Sequence, residues 1–563
     1  MAFMLSPGVN VSEIDLTTIV PAVGTTEGAF VGDFVWGPCD TIVTISSEVE
    51  LASTFGKPDA NTFVDFFTAA NFLSYARNLK VVRAANTSLL NAQANSLASG
   101  IAINSLIDYE ENHSSGSNAN GLWAAKWPGE LGNSLKVEMY PSSNTQAFDA
   151  WIYNGYFDSA PSTSTYASNQ GGVNDEMHVI VVDEDGKVSG ISNTVLEVFR
   201  NVSKASDAKK EDGSTNYYKE VINQSSRYIW WLSHSETGAT NWGSAASNTS
   251  FGEGSNTVVS SSLTGGTYAA SSDAGKITGY DKFKNADEVD VSLILTGDHS
   301  STVVNHAIDN IAEVRKDCVV FVSPEKTDVV NSVGTEADNT ITYRNTLSSG
   351  SYAVMDCNWK YQFDKYNNTY RWVPLNGDIA GLCVRTDFER DPWYSPAGFN
   401  RGAIRNVVRL AWNPDRTDSD ELYKKGINPV ITFSGQGTYL FGDKTLLSKP
   451  SAFDRINVRR LFIVLEKAIA RASKYSLFEF NDAFTRAQFV SLIEPYLRDV
   501  QGRRGIYDFR VVCDETNNTP EIIDRNEFVG DIYIKPARSI NFIQLNFVAV
   551  RTGVSFDEIV GKA

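Results

Sequence analysis

Apolar and polar positions recur with two different periods along this chain, and the change from one period to the other predicts its elements. Residues 1–26 carry a short alternation at Val9 and Val11, then small and β-branched residues before a glycine stop. That stretch is too short for a core of its own and is read as an extended arm that pairs with something else. Residues 28–45 read as β, with turns at Gly32-Asp33 and Gly37-Pro38. Phe63, Phe66, Phe67, Ala70 and Leu73 then recur at helical spacing and predict a helix over 62–78. LKVVRA at 79–84 reads as a buried strand. The chain thus opens as β-α-β.

The middle is rich in Ser, Asn and Gly. Residues 112–120 and 141–172 are expected to be loops, and 178–190 a hairpin with Asp185-Gly186 as its two-residue turn. Residues 235–275, without a Lys or Arg, are expected to form a long exposed loop between domains. From Tyr280 the pattern becomes strand (287–297), helix (305–317) and strand (318–324), the alternation that builds a parallel or mixed sheet with covering helices. A strand near 352–357, a hairpin-like stretch at 359–373 and a helix near 376–390 continue it.

A helix is predicted at 452–475, with Ser451 as N-cap and Asp454 in its first turn. Turning about 100° per residue from Arg455 gathers Val458, Leu461, Phe462, Leu465, Ala468, Ile469 and Ala472 on one face. Arg455, Arg459, Arg460, Lys467, Arg471 and Lys474 gather on the opposite face. A second helix (482–499) and a strand (506–513) follow. Near the end Ile543, Leu545, Phe547 and Ala549 share one face, and Gln544 and Asn546 the other, as in a half-buried strand. Both ends therefore read as strand-forming arms.

Composition narrows the classes. The 563 residues exceed what one core serves, so two to four domains are expected. Forty-nine Lys+Arg against 67 Asp+Glu give a net charge of −18, which argues against a broad nucleic-acid surface. From Arg401 to Ala563 there are 24 cations and 20 acids, leaving 25 and 47 in residues 1–400. The acidity therefore belongs to the first 400 residues. No stretch approaches the roughly 18 apolar residues of a membrane span, so direct membrane insertion is not expected. The first cation is Lys57, which leaves no basic n-region for an export signal. Cys39, Cys318, Cys357, Cys383 and Cys513 are scattered, never in CxxC, and read as reduced thiols of a protein made in a cytoplasm.

The patterns of catalysis are missing. GxSxG and HExxH are absent; Gly275-Lys276 is followed by Ile277, with Ala270 where a P-loop needs glycine. Gly435-Gln436-Gly437 lacks the third glycine of a dinucleotide fingerprint and reads as a tight turn between strands. His113, His178, His234, His299 and His306 are dispersed and read as solvated or capping residues rather than zinc ligands. Asp183-Glu184-Asp185 reads as a hairpin turn rather than a Ca²⁺ site. No cofactor or metal is expected. The cationic face of 452–475 fits an acidic macromolecular partner better than nucleic acid, because no stacking platform accompanies it.

Several segments together resemble one family. LSPGVNVSEID, FVWGP, ELASTFGKP, AKWPGELGNSLKV, IAGLCVRTDFERDPWYSPAGFNRG, INPVITFSGQGTYLFGDKTL, SAFDRINVRRLF and SINFIQLNFVAVRTG stand in the order of contractile tail sheath proteins of myoviruses, the T-even-like group above all. The resemblance implies a multidomain α/β and α+β fold, a sheath core of mixed sheets with covering helices, β-rich inserted outer domains and extended terminal strand arms. It places an N-terminal linking arm at 1–26, a middle domain at 27–86 plus 266–394, an outward-facing insert at 87–265, a tube-facing domain at 395–540 and a C-terminal arm at 541–563. It further implies a structural subunit without enzymatic activity, assembled in the host bacterial cytoplasm into hexameric rings stacked helically in the virion tail. Its partners would be other copies, the tail tube protein, and baseplate and tail terminator proteins. The arms, through Val9, Val11, Ile543, Leu545, Phe547 and Ala549, would link copies, and Arg455, Arg459, Arg460, Lys467, Arg471 and Lys474 would hold the tube. Two other readings remain open: the sheath of an R-type bacteriocin or extracellular contractile injection system, and a soluble α/β enzyme with decorated loops.

Overall fold

The computed structural model describes residues 24–95, 100–116, 121–235, 239–253 and 258–541. The expected arms, with Val9, Val11, Ile543, Leu545, Phe547 and Ala549, lie outside the described residues. The chain divides into two compact units. The larger holds Pro21–Pro392 and Pro396–Tyr475, and the smaller Trp393–Ser395 with the described part of Ser476–Ala563.

The larger unit is organised by a seven-stranded sheet. Its spatial order is Ile427–Asn428, Ala353–Asp356, Val319–Val322, Leu293–Leu295, Gly28–Gly32, Leu79–Arg83 and Val43–Ile45. Neighbours run parallel throughout except the last pair. The central strands GAFVG, LIL and VVFV are wholly buried, which is why their sequences are continuous apolar runs rather than alternating ones. The helix Phe63–Leu73 and the helix Asn376–Glu389 pack on each other at close range. Glycine permits this: a Cβ on Gly377 would lie 2.4 Å from the Thr68 carbonyl oxygen, and one on Gly381 2.4 Å from the Tyr75 ring. Beside that contact the buried Lys360 Nζ donates to Asp378 Oδ1 at 2.9 Å and lies 2.8 Å from Oδ2, and the Tyr75 hydroxyl donates to Oδ1 at 3.2 Å.

Residues 87–265 build sheets and apolar clusters of their own. A four-stranded antiparallel sheet runs Thr194–Ser203, Glu176–Asp183, Leu135–Tyr140 and Val259–Ser262. Two expectations are corrected here. The strand 176–183 pairs with 194–203 across a ten-residue connection, not through a two-residue Asp185-Gly186 turn. Asp183 organises that connection, its carboxylate accepting from Val188 N at 3.0 Å, Ser189 N at 2.6 Å and Ser134 Oγ at 2.5 Å. The stretch 235–275 is not simply a loop. Val259–Ser262 adds an edge strand to the sheet, and Trp242, Ala246 and Phe251 are buried. Backbone pairing there needs no apolar side chains, so a serine run can serve.

The expected tube-facing block 395–540 does not form one body. Ile427–Asn428 extends the large sheet, and Val430, Leu440, Leu446, Ile456 and Ile463 belong to its core. The division falls at Ser476 instead. In the smaller unit the helix Ala483–Gly502 buries Phe489, Ile493, Leu497 and Val500, and a hairpin joins Ile506–Val512 to Asp531–Pro536. All five cysteines are buried and unpaired.

Candidate functional site

The α-helix spans Ile456–Ser473, preceded by a 3-10 turn at Ala452–Asp454. Ser451 caps that turn, accepting from Phe453 N, so the α-helix proper begins after Arg455 rather than at the predicted cap. The six predicted cations do not form one free face. Arg455 Nη1 donates to Asp443 at 3.0 Å and to the Tyr423 hydroxyl. Arg459 is buried, lying 3.9 Å from the Phe453 ring centroid and 4.3 Å from that of Tyr352, whose hydroxyl accepts from it at 3.0 Å. Burial pulls the Arg459 guanidinium below its ordinary pKa.

Arg460 makes a buried two-pronged pair with Asp387 at 2.8 and 2.5 Å. Lys467 pairs with Asp290 and stands 3.8 Å from Asp317. Arg471 reaches Asp290 at 3.5 Å with its side chain 44% exposed, and Lys474 reaches Asp287 at 3.2 Å with its side chain 66% exposed. The expectation of an exposed cationic stripe is corrected accordingly. Four of the six cations serve the chain's own packing, because neighbouring elements cover the flank of the helix that carries them. Arg471 and Lys474 keep an outward charge.

Two features of the smaller unit escaped the sequence reading. Leu477, Phe478, Phe480 and Phe484 are all strongly exposed. An apolar run of that size on the surface marks a contact surface. Leu477, Phe480 and Phe484 stand at helical spacing, a pattern that reads as a buried face and so does not reveal their exposure. The hairpin Ile506–Val512/Asp531–Pro536 is a two-stranded sheet whose outer edges are unpaired among the described residues. Unpaired edges present a row of main-chain donors and acceptors for another strand. Such a hairpin is also marginal by itself and gains from a third strand.

Among the described residues no group of three His, Cys, Asp or Glu side chains is arranged to hold a metal ion, and no helix is long and apolar enough to cross a membrane. His178 and His299 are buried rather than solvated. Open strand edges and an exposed aromatic run define a building block of an assembly.

Comparison with known proteins gives that class its family. Models of the phage tail sheath C-terminal domain, the phage tail sheath protein central domain and the tail sheath protein Gp18 domain III N-terminal region match residues 448–549, 286–446 and 28–84. The chain is 34% identical to the tail sheath protein of Vibrio phage KVP40, over 99% of this chain and 100% of that protein. It is 34% identical to the tail sheath protein of Enterobacteria phage T4 over the full length of both. Among solved structures, the sheath tail protein of Desulfitobacterium hafniense shares the fold at a TM-score of 0.53 and 12% identity, with 94% of this chain and 100% of that one covered. The helical sheath of the anti-feeding prophage in its contracted state does so at 0.50 and 13%, with 97% and 99% covered. The chain belongs to the phage tail sheath proteins, and is a structural component of a contractile phage tail.

Proposed function

We propose that this chain polymerises as hexameric rings stacked helically around a tail tube, is held in a metastable extended form, and contracts to drive the tube through the host cell envelope. One observation carries the reading: the likeness to two phage sheath proteins runs over 99–100% of this chain, both terminal arms included. The role is structural rather than catalytic. Energy for contraction resides in the assembled lattice, and the polymer forms in the host cytoplasm between a baseplate and a tail terminator.

The terminal arms, residues 5–20 and 540–551, supply strands to other copies. The open edges of the hairpin Ile506–Val512/Asp531–Pro536 support this, since an added strand satisfies main-chain groups and seats alternate side chains. Such a contact is heterologous, and where it does not close on itself it generates a helical array. Arg471 and Lys474 carry the tube attachment, as the two members of the cationic set with outward charge. Exposed ion pairs worth about 0–1 kcal/mol each hold register yet release together. Negative-stain microscopy of the purified protein tests the reading: hollow striated tubes or rings are expected, and a discrete monomer under all polymerising conditions contradicts it.

A further inference from the structure

In the larger unit, the ends of the helices Glu336–Thr346 and Arg416–Lys424 and the segment 444–450 enclose a cavity of about 410 Å³. Five cations line it, Arg344, Lys424, Lys425, Lys444 and Lys449, against one acid, Asp454. Asp454 is engaged elsewhere, 3.6 Å from Arg455 Nε. None of the five cations forms an ion pair among the described residues, although the chain as a whole carries −18. Five like charges around a concavity with a single opposing carboxylate repel one another, and an anion entering it relieves that repulsion.

The site is partly preformed. Arg344 is buried, and its Nη2 donates to the Leu446 carbonyl at 2.7 Å and its Nη1 to the Leu347 carbonyl at 3.3 Å. Its Nε has no hydrogen-bond acceptor. Lys444 Nζ donates to the Tyr423 carbonyl at 2.7 Å and lies 4.4 Å from that ring's centroid. Burial, and after it the Arg455 charge, pull the Lys444 ammonium below its ordinary pKa, with Asp454 and Asp443 opposing.

We propose that this cavity binds a compact, multiply charged phosphate of the size of pyrophosphate or tripolyphosphate. Its volume falls in the roughly 300–1,000 Å³ range of small-molecule sites. A fixed guanidinium and a fixed ammonium beside the exposed Lys424, Lys425 and Lys449 suit clustered phosphate oxygens better than a single carboxylate. The bound anion would tie together three segments distant in sequence and brace the approach to the helix Ile456–Ser473.

Isothermal titration of the full-length protein with sodium tripolyphosphate at fixed ionic strength tests this. Saturable one-to-one binding and a raised melting temperature are expected. Lys425→Glu with Lys449→Glu, both exposed, should leave the circular dichroism spectrum unchanged and weaken binding by about tenfold or more, as loss of charge-assisted contacts implies. Lys209→Glu with Lys210→Glu, exposed on the insert, should leave binding intact. Absence of saturable heat, equal affinity in the Lys425/Lys449 variant, or a melting shift reproduced by chloride of matched ionic strength overturns the proposal. So does a Lys425/Lys449 variant that loses polymerisation while the native protein binds no tripolyphosphate, which would assign the cavity to an acidic surface of a second copy.

Discussion

Arg460 and Asp387 meet as a two-pronged ion pair whose side chains are only 4% and 5% exposed. The Thr25 hydroxyl donates to the same carboxylate at 2.6 Å, so the pair joins the start of the described chain to two helices. Removing one partner of a buried pair strands the other charge and costs about 3–5 kcal/mol. Arg460→Ala is therefore expected to lower the denaturation midpoint of the isolated protein sharply, whereas Arg460→Met with Asp387→Leu should lose much less. Denaturant titration of the three proteins measures both effects; equal midpoints would show that the pair contributes nothing.

Charge at the end of the same helix should behave oppositely. Arg471→Glu with Lys474→Glu alters exposed pairs worth about 0–1 kcal/mol each, so the fold should survive. Co-sedimentation with isolated tail tubes should fall severalfold and grow more sensitive to salt. Undiminished co-sedimentation would remove these residues from the tube contact.

A pH effect follows from Asp65. Burial comes first among the causes that raise its carboxyl to about 6, with Lys276 opposing, Asp33 adding to the rise, and the Asp33 N–H donating to it at 2.7 Å. His299 Nε2, buried and without a hydrogen-bond partner, stands 3.8 Å away, and burial holds that imidazole well below its usual pKa. Because the folded state binds the Asp65 proton more tightly than the unfolded chain, this group's contribution to stability falls as pH rises from about 4 to about 6. Asp65→Asn keeps the acceptor for Asp33 N and removes that dependence. The variant's advantage in denaturant melts should grow over that interval to at most about 3 kcal/mol and stay level above it. A difference independent of pH would contradict the assignment.

Gly381 sets the spacing between its own helix and the turn that follows Phe63–Leu73, since a Cβ there would meet the Tyr75 ring at 2.4 Å. Gly381→Ala should cost about 1–3 kcal/mol despite the better helix propensity of alanine. It should also disturb the bond from the Tyr75 hydroxyl to Asp378. Thermal melts check this, and a gain in stability would show that the helices move apart freely.

Much of this was legible in the sequence where periodicity and burial coincide. Phe63–Leu73, Leu79–Arg83, Val319–Val322 and Asn376–Glu389 fall where the apolar spacing puts them. The strand Val259–Ser262 did not show, because an edge strand of serines pairs through its backbone and leaves no apolar alternation. The helical wheel from Arg455 put the cations on one side, but Ile456 and Ile463 fall on that same side and are buried in the core. It carried no information about what lies against the cationic side, and Asp387, Asp290 and Tyr352 lie far away in sequence. The Phe478–Phe484 run stayed hidden because exposure follows from tertiary packing, not from local pattern.

Strands given by each copy to others would hold the proposed polymer together. A variant lacking residues 1–20 and 540–563 should keep both compact units, with its circular dichroism nearly unchanged. Under conditions that polymerise the full-length chain, electron microscopy should find it only as dispersed single particles. Ordered hollow cylinders formed by that shortened chain would contradict the account.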